Sequence, residues 1–232
     1  DRQLGRLKKR TAAERRTLVE HGQEFRNWAL CEQAAFESIR LAPNHPQEAR
    51  EWAHLGVRIA ELAPGEETWR WRLEGWARHF LANAERACND LPAAERARAR
   101  GRKLWEAGAP GDPGLLEEAW LPGLEANLRK DQRRLPEALE RIDEALALAP
   151  REMRAEVLLS KSNILRRLDD PEGSTAVLLE AEPLIDAQRE PRLAFGVRFN
   201  LLVDLCALGR AAEAAPRLPA VRMLAERLGE PL

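Results

Sequence analysis

The sequence has few of the features that mark secreted, membrane-spanning or nucleic-acid-binding proteins. Its three cysteines stand alone, at positions 31, 88 and 206, and this favours a reducing, cytoplasmic setting over a secreted one. No hydrophobic run approaches the roughly 20 residues of a membrane-spanning helix, and no signal peptide is recognisable. The net charge of −1 excludes a molecule steered as a whole towards nucleic acid or an acidic membrane surface. We therefore expect a cytoplasmic protein that binds neither membranes nor nucleic acid directly.

The common motifs of catalysis and phosphate binding are also missing. The sequence contains no GxxxxGK[ST], GxGxxG, GxSxG or HExxH. A single Glu-x-x-His, from Glu51 to His54, is not enough for a di-metal site, which needs two such motifs on facing helices. The tryptophans at 52, 69, 71 and 76 fit core packing better than a ligand cage, because indole rings are large and apolar. We expect a protein that is not an enzyme and has no cofactor or metal site.

Helix-breaking residues divide the chain into ten predicted helices with short connections. Apolar residues recur at helical spacing between Pro64-Gly65, Asn89-Asp90, the Gly/Pro-rich stretch 108–114 and similar breaks. No segment alternates as a strand would, so the predicted fold is all-α. The predicted helices cover residues 12–42, 46–63, 67–88, 92–107, 114–131, 135–149, 151–168, 171–187, 191–208 and 212–228.

Small residues recur seven positions apart in alternate helices. In LPEALERIDEALALAP the pair is Ala138 and Ala145, two turns apart on one face, where another helix can approach closely. The helix before each of three such helices carries a matching signal, a small residue followed by an asparagine, twelve positions before the first member of the pair. These small residues are at positions 82, 126 and 162, so both helices of each predicted helix pair share one register. The five pairs are Ala49/Gly56, Ala94/Gly101, Ala138/Ala145, Ser174/Ala181 and Ala214/Val221.

This register resembles that of the tetratricopeptide repeat (TPR), which has small residues at positions 8, 20 and 27 of its unit. The resemblance implies a right-handed α-solenoid of about five helix pairs, forming a single domain over residues 11–232 after a basic N-terminal arm at residues 1–10. We expect the arm to be dispensable for stability. The spacing between pairs exceeds the 34 residues of a typical TPR, so a HEAT-like helical repeat is the alternative.

In TPR proteins the first helix of each repeat lines a concave groove, and the resemblance carries this role to matching positions here. Three of these positions hold an asparagine followed three residues later by a cation, which predicts parallel polar and basic lines suited to an extended acidic peptide. The alternative is that the asparagines only bond neighbouring helices. The predicted partner-binding residues are His79, Asn83, Arg86, Asn127, Lys130, Asn163, Arg166, Arg167, Phe199 and Asn200.

The resemblance implies a scaffold that binds a peptide or partner protein, with an acidic partner favoured by the basic line. The alternative is a sensing module of a bacterial transcriptional regulator, since some of these join a DNA-binding domain to a similar array. No helix-turn-helix is recognisable in residues 1–45, so such a domain would lie outside the chain. The chain starts without Met, and we expect it to be a piece of a longer protein, or to self-associate through its apolar C-terminal end.

Overall fold

The computed structural model describes residues 2–229 and contains no β-strand within that range, so the all-α prediction is confirmed. Residue 1 and residues 230–232, which the sequence interpretation placed in the basic arm and in the repeat domain, lie outside the described residues. The chain divides between Glu117 and Glu118 into two compact units, called unit 1 and unit 2 here. The single-domain boundary stays a prediction.

Both units are built of consecutive antiparallel helix pairs. The helices of unit 1 are α1 (Arg2–Lys8), α2 (Ala12–His21), α3 (Trp28–Leu41), α4 (Pro46–Leu62), α5 (Glu67–Ala87) and α6 (Leu91–Ala107), with 3₁₀ turns at Gln23–Phe25 and Ala109–Gly111. Those of unit 2 are α7 (Trp120–Asp131), α8 (Leu135–Leu148), α9 (Arg151–Arg167), α10 (Pro171–Ala181), α11 (Pro191–Ala207), α12 (Ala211–Ala214) and α13 (Leu218–Leu228), with 3₁₀ turns at Glu182–Leu184 and Ala215–Arg217.

The small-residue register marks where these helices cross. Ala138 and Ala145 have no exposed surface, and a Cβ placed on Gly123 of α7 would lie 3.8 Å from the Cβ of Ala145. A larger side chain at such a crossing would force the helices apart. All ten register positions are buried: Ala49, Gly56, Ala94, Gly101, Ala138, Ala145, Ser174, Ala181, Ala214 and Val221.

A recurrent turn joins the two helices of each of the last four pairs. One residue is left-handed, with φ between 60° and 70°, and the next N–H bonds back to a carbonyl in the last turn of the preceding helix, as in a Schellman motif. Each left-handed residue stands five positions before the first small residue of its pair, so the turn repeats with the same register. The left-handed residues are Asn89, Arg133, Asp169 and Gly209.

The prediction of one helix over residues 12–42 is wrong. Helix α2 ends at His21, and α3 begins after Asn27, whose side-chain oxygen accepts a hydrogen bond from the Leu30 N–H at 2.9 Å. The short side chain of Asn27 offers the first turn of α3 an acceptor, so it acts as an N-cap.

The basic N-terminal segment packs on unit 1 as helix α1. Leu7 has no exposed surface, and its carbonyl accepts a hydrogen bond from Arg15 Nε at 3.1 Å. Lys8 forms an ion pair with the buried carboxylate of Glu37 at 2.8 Å. These contacts contradict the expectation that the segment is dispensable for stability.

Three further predicted boundaries are corrected by prolines and by one long-range contact. Helix α7 begins at Trp120 instead of residue 114, because the preceding loop lies along α5, where Trp76 Nε1 donates to the Glu117 carbonyl at 3.1 Å. Helix α10 ends at Ala181, shortly before Pro183, instead of at residue 187. The predicted helix over residues 212–228 is divided into α12 and α13, and Pro219 stands in the first turn of α13, where a proline is tolerated.

Candidate functional site

A basic cleft of about 390 Å³ in unit 2 is lined by five residues, four of which are predicted partner-binding residues. It lies between the last turn of α7 and the last turn of α9. Three cationic side chains and one carboxylate line it together with one amide: Lys130, Arg166, Arg167, Asp131 and Asn163. We call this feature the basic cleft.

On the α7 side, Asn127 holds the lysine in place. Its side-chain oxygen accepts a hydrogen bond from Lys130 Nζ at 3.1 Å, and its amide nitrogen donates to the Gly123 carbonyl of the same helix at 3.4 Å. Asn127 therefore acts on its own helix and does not bond a neighbouring one through these contacts. An amide oxygen carries no net charge, so this hydrogen bond leaves the positive charge of the lysine ammonium in place.

On the α9 side, Arg166 belongs to a network that spans three helices. Its Nε lies 3.0 Å from Asp204 Oδ1, and its Nη1 donates to Asn200 Oδ1 at 3.0 Å. Asp204 is 2% exposed and also accepts a 2.5 Å hydrogen bond from the Ser174 hydroxyl. Helices α9, α10 and α11 are thus tied together around one buried carboxylate, with Arg166 supplying its positive partner.

Two groups in the cleft keep unused hydrogen-bonding capacity. Arg167 is exposed and meets no hydrogen-bond or ion-pair partner within residues 2–229. Asn163 accepts a hydrogen bond from Asn200 Nδ2 at 3.2 Å, while its own amide N–H groups meet no acceptor in that range. The cleft can therefore offer a planar guanidinium to a carboxylate, and neutral donors to a carbonyl beside it.

In unit 1 the predicted groove positions are largely closed. His79 is 3% exposed and bonds the Gly75 carbonyl through Nδ1 at 2.9 Å, facing α6. The two helices approach closely there, because a Cβ on Gly75 would lie 2.8 Å from the Gly101 carbonyl oxygen. This buried position excludes His79 from direct contact with a partner.

The Asn83–Arg86 pair of unit 1 repeats the arrangement of Asn127 and Lys130. Asn83 is 6% exposed, and its oxygen accepts hydrogen bonds from Nε and Nη2 of Arg86 at 3.1 and 2.9 Å. An asparagine followed three residues later by a cation therefore forms a bonded pair within one helix at both places. The sequence motif was visible, but its local role was not.

The remaining predicted residues lie on α11. Asn200 joins the cleft network through Asn163 and Arg166, so the expectation that asparagines bond neighbouring helices holds at this position. Phe199 is 36% exposed and stacks on Phe195 with ring centroids 5.5 Å apart, and it does not line the basic cleft.

Sequence reasoning missed Asp204 and Ser174, which form the buried centre of the network. A signal was present, since Asp204 is the one charged residue in the apolar run LLVDLC. A carboxylate in an apolar run is buried only when it has a hydrogen-bonding or cationic partner. The run therefore predicts a cation on a neighbouring helix.

Two of the three cysteines pack against the backbone of another helix. Cys31 is fully buried and its Sγ lies 3.3 Å from the Gly56 carbonyl oxygen, and burial raises the pKa of its thiol. Cys88 Sγ lies 3.2 Å from the Pro46 carbonyl oxygen, and Cys206 is exposed. Within residues 2–229 no three His, Cys, Asp or Glu side chains converge as a metal site requires. No helix in the same range is long and apolar enough to cross a membrane.

Comparison with solved structures identifies the architecture. BtubC (BKLC) from P. vanneervenii superposes with a TM-score of 0.65 at 17% identity, covering 100% of this chain and 92% of that chain. The fold is that of the TPR-like repeat proteins. A second solved structure is that of a Podosopora anserina protein designated a kinesin light chain, whose own TPR-like repeats are nearly identical to one another. It superposes with a TM-score of 0.55 at 17% identity to this chain, covering 90% of this chain and 98% of that one. A single-residue variant of those repeats gives the same score at 16% identity, covering 85% and 95%. No family model matches the sequence, and the search of curated proteins finds no similar sequence.

Proposed function

We propose that this chain is a protein-interaction scaffold whose unit 2 binds an acidic peptide in the basic cleft. The observation that carries the proposal is the exposed Arg167 guanidinium, which has no partner within residues 2–229, beside Lys130 and Arg166 in one cleft. An extended chain can place a carboxylate on Arg167 and a backbone carbonyl on the amide of Asn163. A TPR-like fold is compatible with such work, because its stacked helix pairs offer extended surfaces.

The cleft gives each cation a separate role in this proposal. Arg166 is committed to Asp204 and Asn200, so it contributes positive potential and structural rigidity. Lys130 and Arg167 are the residues that contact the peptide's carboxylates. We further propose a cytoplasmic location, which suits a chain whose three cysteines are free. Neither the described residues nor the comparisons favour the alternative of a transcriptional-regulator module.

The test is fluorescence anisotropy with labelled peptides rich in glutamate, in glutamine or in lysine, measured with the full chain over a range of salt concentrations. We expect only the glutamate peptide to bind, with an affinity that falls as salt rises, because exposed charges are screened. Arg167→Ala should weaken binding and reduce the salt dependence without changing stability. Equal binding of the glutamine peptide, or binding of the glutamate peptide that is insensitive to salt, would contradict the proposal.

Asn127→Ala separates partner binding from a purely structural role of the asparagine. If Asn127 positions Lys130, its removal should weaken peptide binding about fivefold, which corresponds to one net hydrogen bond. If it serves only the helix, the variant should lose stability and keep its affinity. Both quantities are measured on the same protein, by urea unfolding and by anisotropy.

Self-association through α13 is a second proposal, carried by exposed apolar side chains. Met223 is 62% exposed and Leu218 is 42% exposed on this helix. Sedimentation velocity at increasing protein concentration tests it. The sedimentation coefficient should rise with concentration for the native chain and stay constant for Met223→Glu, and a constant value for both would refute it.

A further inference from the structure

An apolar groove in unit 1 contains none of the residues that the proposed function uses. It has a volume of about 500 Å³ and is lined by the first turns of α3 and α5, the loop between α4 and α5, and the loop that follows α6. Two half-buried indoles, Trp28 and Trp69, face a lining of Pro64, Pro113 and Leu115, and Leu115 is 44% exposed. We call it the tryptophan groove.

The groove offers two indole N–H donors to an occupant. The indole N–H groups of Trp28 and Trp69 meet no acceptor within residues 2–229, and both residues are half-buried. The carbonyl of Gly65, also in the lining, accepts a hydrogen bond from Arg70 Nη1 at 3.4 Å. An occupant should therefore bring carbonyl oxygens that pair with these donors, and its apolar part should lie against the indole and proline lining.

The charge of the groove is negative. Glu66 is its one charged lining residue, is exposed, and forms no ion pair or side-chain hydrogen bond within the described range. A free carboxylate at the edge of an apolar groove favours an arginine or lysine in the occupant.

These three properties together define one class of ligand. Proline residues lack the N–H and adopt the polyproline II helix, which makes no internal hydrogen bonds, so their carbonyl oxygens remain available as acceptors. Aromatic-lined grooves bind such segments because their extended shape is already formed before binding. We infer that the tryptophan groove docks a proline-rich peptide that carries a basic residue, with its carbonyls on the Trp28 and Trp69 N–H groups and its cation on Glu66.

The experiment follows the indole N–H signals of the full chain by NMR. The sequence has seven tryptophans, and Trp→Phe variants assign the signals of residues 28 and 69. The probe is a short acetylated peptide of prolines and alanines with one arginine. One control peptide replaces the arginine with glutamate, and another replaces the prolines with alanine. We expect the arginine–proline peptide to shift the Trp28 and Trp69 signals selectively, and the two controls to bind more weakly.

Variants make the assignment specific. Trp69→Phe keeps an aromatic side chain but removes the indole N–H donor, so it should raise the Kd about fivefold. Trp71→Phe, which is half-buried outside the groove, should leave the Kd unchanged. Glu66→Lys alters an exposed residue and should reverse the preference between the arginine and glutamate peptides.

Three results would overturn the inference. The first is an unchanged Trp28 and Trp69 spectrum at saturating peptide concentrations. The second is equal binding of the alanine control. The third is a shift of these signals with protein concentration alone, which would assign the groove to a second copy of the chain. None of these results tests the basic cleft of unit 2, because that proposal is tested with different variants and different peptides.

Discussion

Replacing Arg166 with alanine should destabilise unit 2, whereas the same change at the adjacent Arg167 should not. Arg166 is the cationic partner of Asp204, which is 2% exposed, and the two atoms Nε and Oδ1 lie 3.0 Å apart. Removing one partner of a fully buried ion pair costs about 3–5 kcal/mol, because the remaining charge stays buried. The Arg166 side chain is 33% exposed and Asp204 retains the Ser174 hydroxyl, so solvent and that hydrogen bond reduce the cost. We expect a loss of about 1–2 kcal/mol.

Arg167→Ala is the matched control. Its side chain is exposed without a partner in the described part of the chain, and surface substitutions of this kind change stability by about 0.5 kcal/mol or less. Urea unfolding followed by circular dichroism measures both variants. The midpoint should fall for Arg166→Ala with an unchanged m-value, which reports surface exposed on unfolding.

A double-mutant cycle tests the physical reason for that difference. Asp204→Asn keeps the shape of the side chain and removes its charge, so Arg166→Ala should cost less in that background. We expect a coupling of about 1 kcal/mol, within the range found for residues in contact. Equal midpoints for Arg166→Ala and Arg167→Ala, or strictly additive effects of Arg166→Ala and Asp204→Asn, would refute the reasoning.

Three other predictions concern packing and charge. Ala145→Leu should lower stability by about 1–3 kcal/mol, because the added atoms meet Gly123 across the α7–α8 crossing, and an unchanged thermal midpoint would contradict the register. Leu7→Ala should cost about 2–4 kcal/mol in urea unfolding, since this fully buried side chain anchors α1, and a cost near zero would restore the idea of a dispensable arm. Hydrogen bonding to Arg40, assisted by Lys8, lowers the pKa of Glu37, so the ionised carboxylate stabilises the folded protein. This stabilisation is complete above the ordinary glutamate pKa and is lost as the pH falls through the lowered value. Glu37→Gln should flatten the decline of stability in acid, and a parallel decline in both proteins would disprove this contribution.

The helix pairs could be predicted from sequence because the crossings impose a local requirement. A position such as Ala138 has to be small wherever another helix passes, so its identity records the crossing without any knowledge of the partner. Breakers gave most helix ends for a similar reason, since proline and left-handed residues act on their own backbone. Asn27 is a capping signal that could have divided the first long helix as well.

Contacts between distant residues set the features that the sequence did not reveal. The start of α7 depends on a hydrogen bond from Trp76 to the Glu117 carbonyl, 41 residues away. The burial of His79 depends on how closely α5 approaches α6, and thus on both helices. Core packing, expected for the tryptophan cluster, holds for Trp52 and Trp76, which are 1% and 0% exposed, whereas Trp69 is half-buried beside a groove.

The candidate site was predicted in part for the same reasons. The resemblance to the tetratricopeptide repeat placed Lys130 and Arg166 at equivalent positions of successive repeats, and both line the basic cleft. The distinction between Arg166, held by Asp204, and the free Arg167 depends on α11, which lies more than 20 residues further along the chain. Sequence spacing could not separate a structural cation from one available to a partner.

A charge swap tests the central claim, acidic-peptide binding by the basic cleft, most directly. The double variant Lys130→Glu/Arg167→Glu reverses one half-buried and one exposed charge of the cleft. It leaves the Arg166–Asp204 ion pair in place, so unit 2 should stay folded. Anisotropy is measured for native and variant chains with a glutamate-rich peptide and with its lysine-rich counterpart. The account predicts that the native chain binds the glutamate peptide and that the variant binds the lysine peptide instead. Unchanged binding of the glutamate peptide by a folded variant would contradict it.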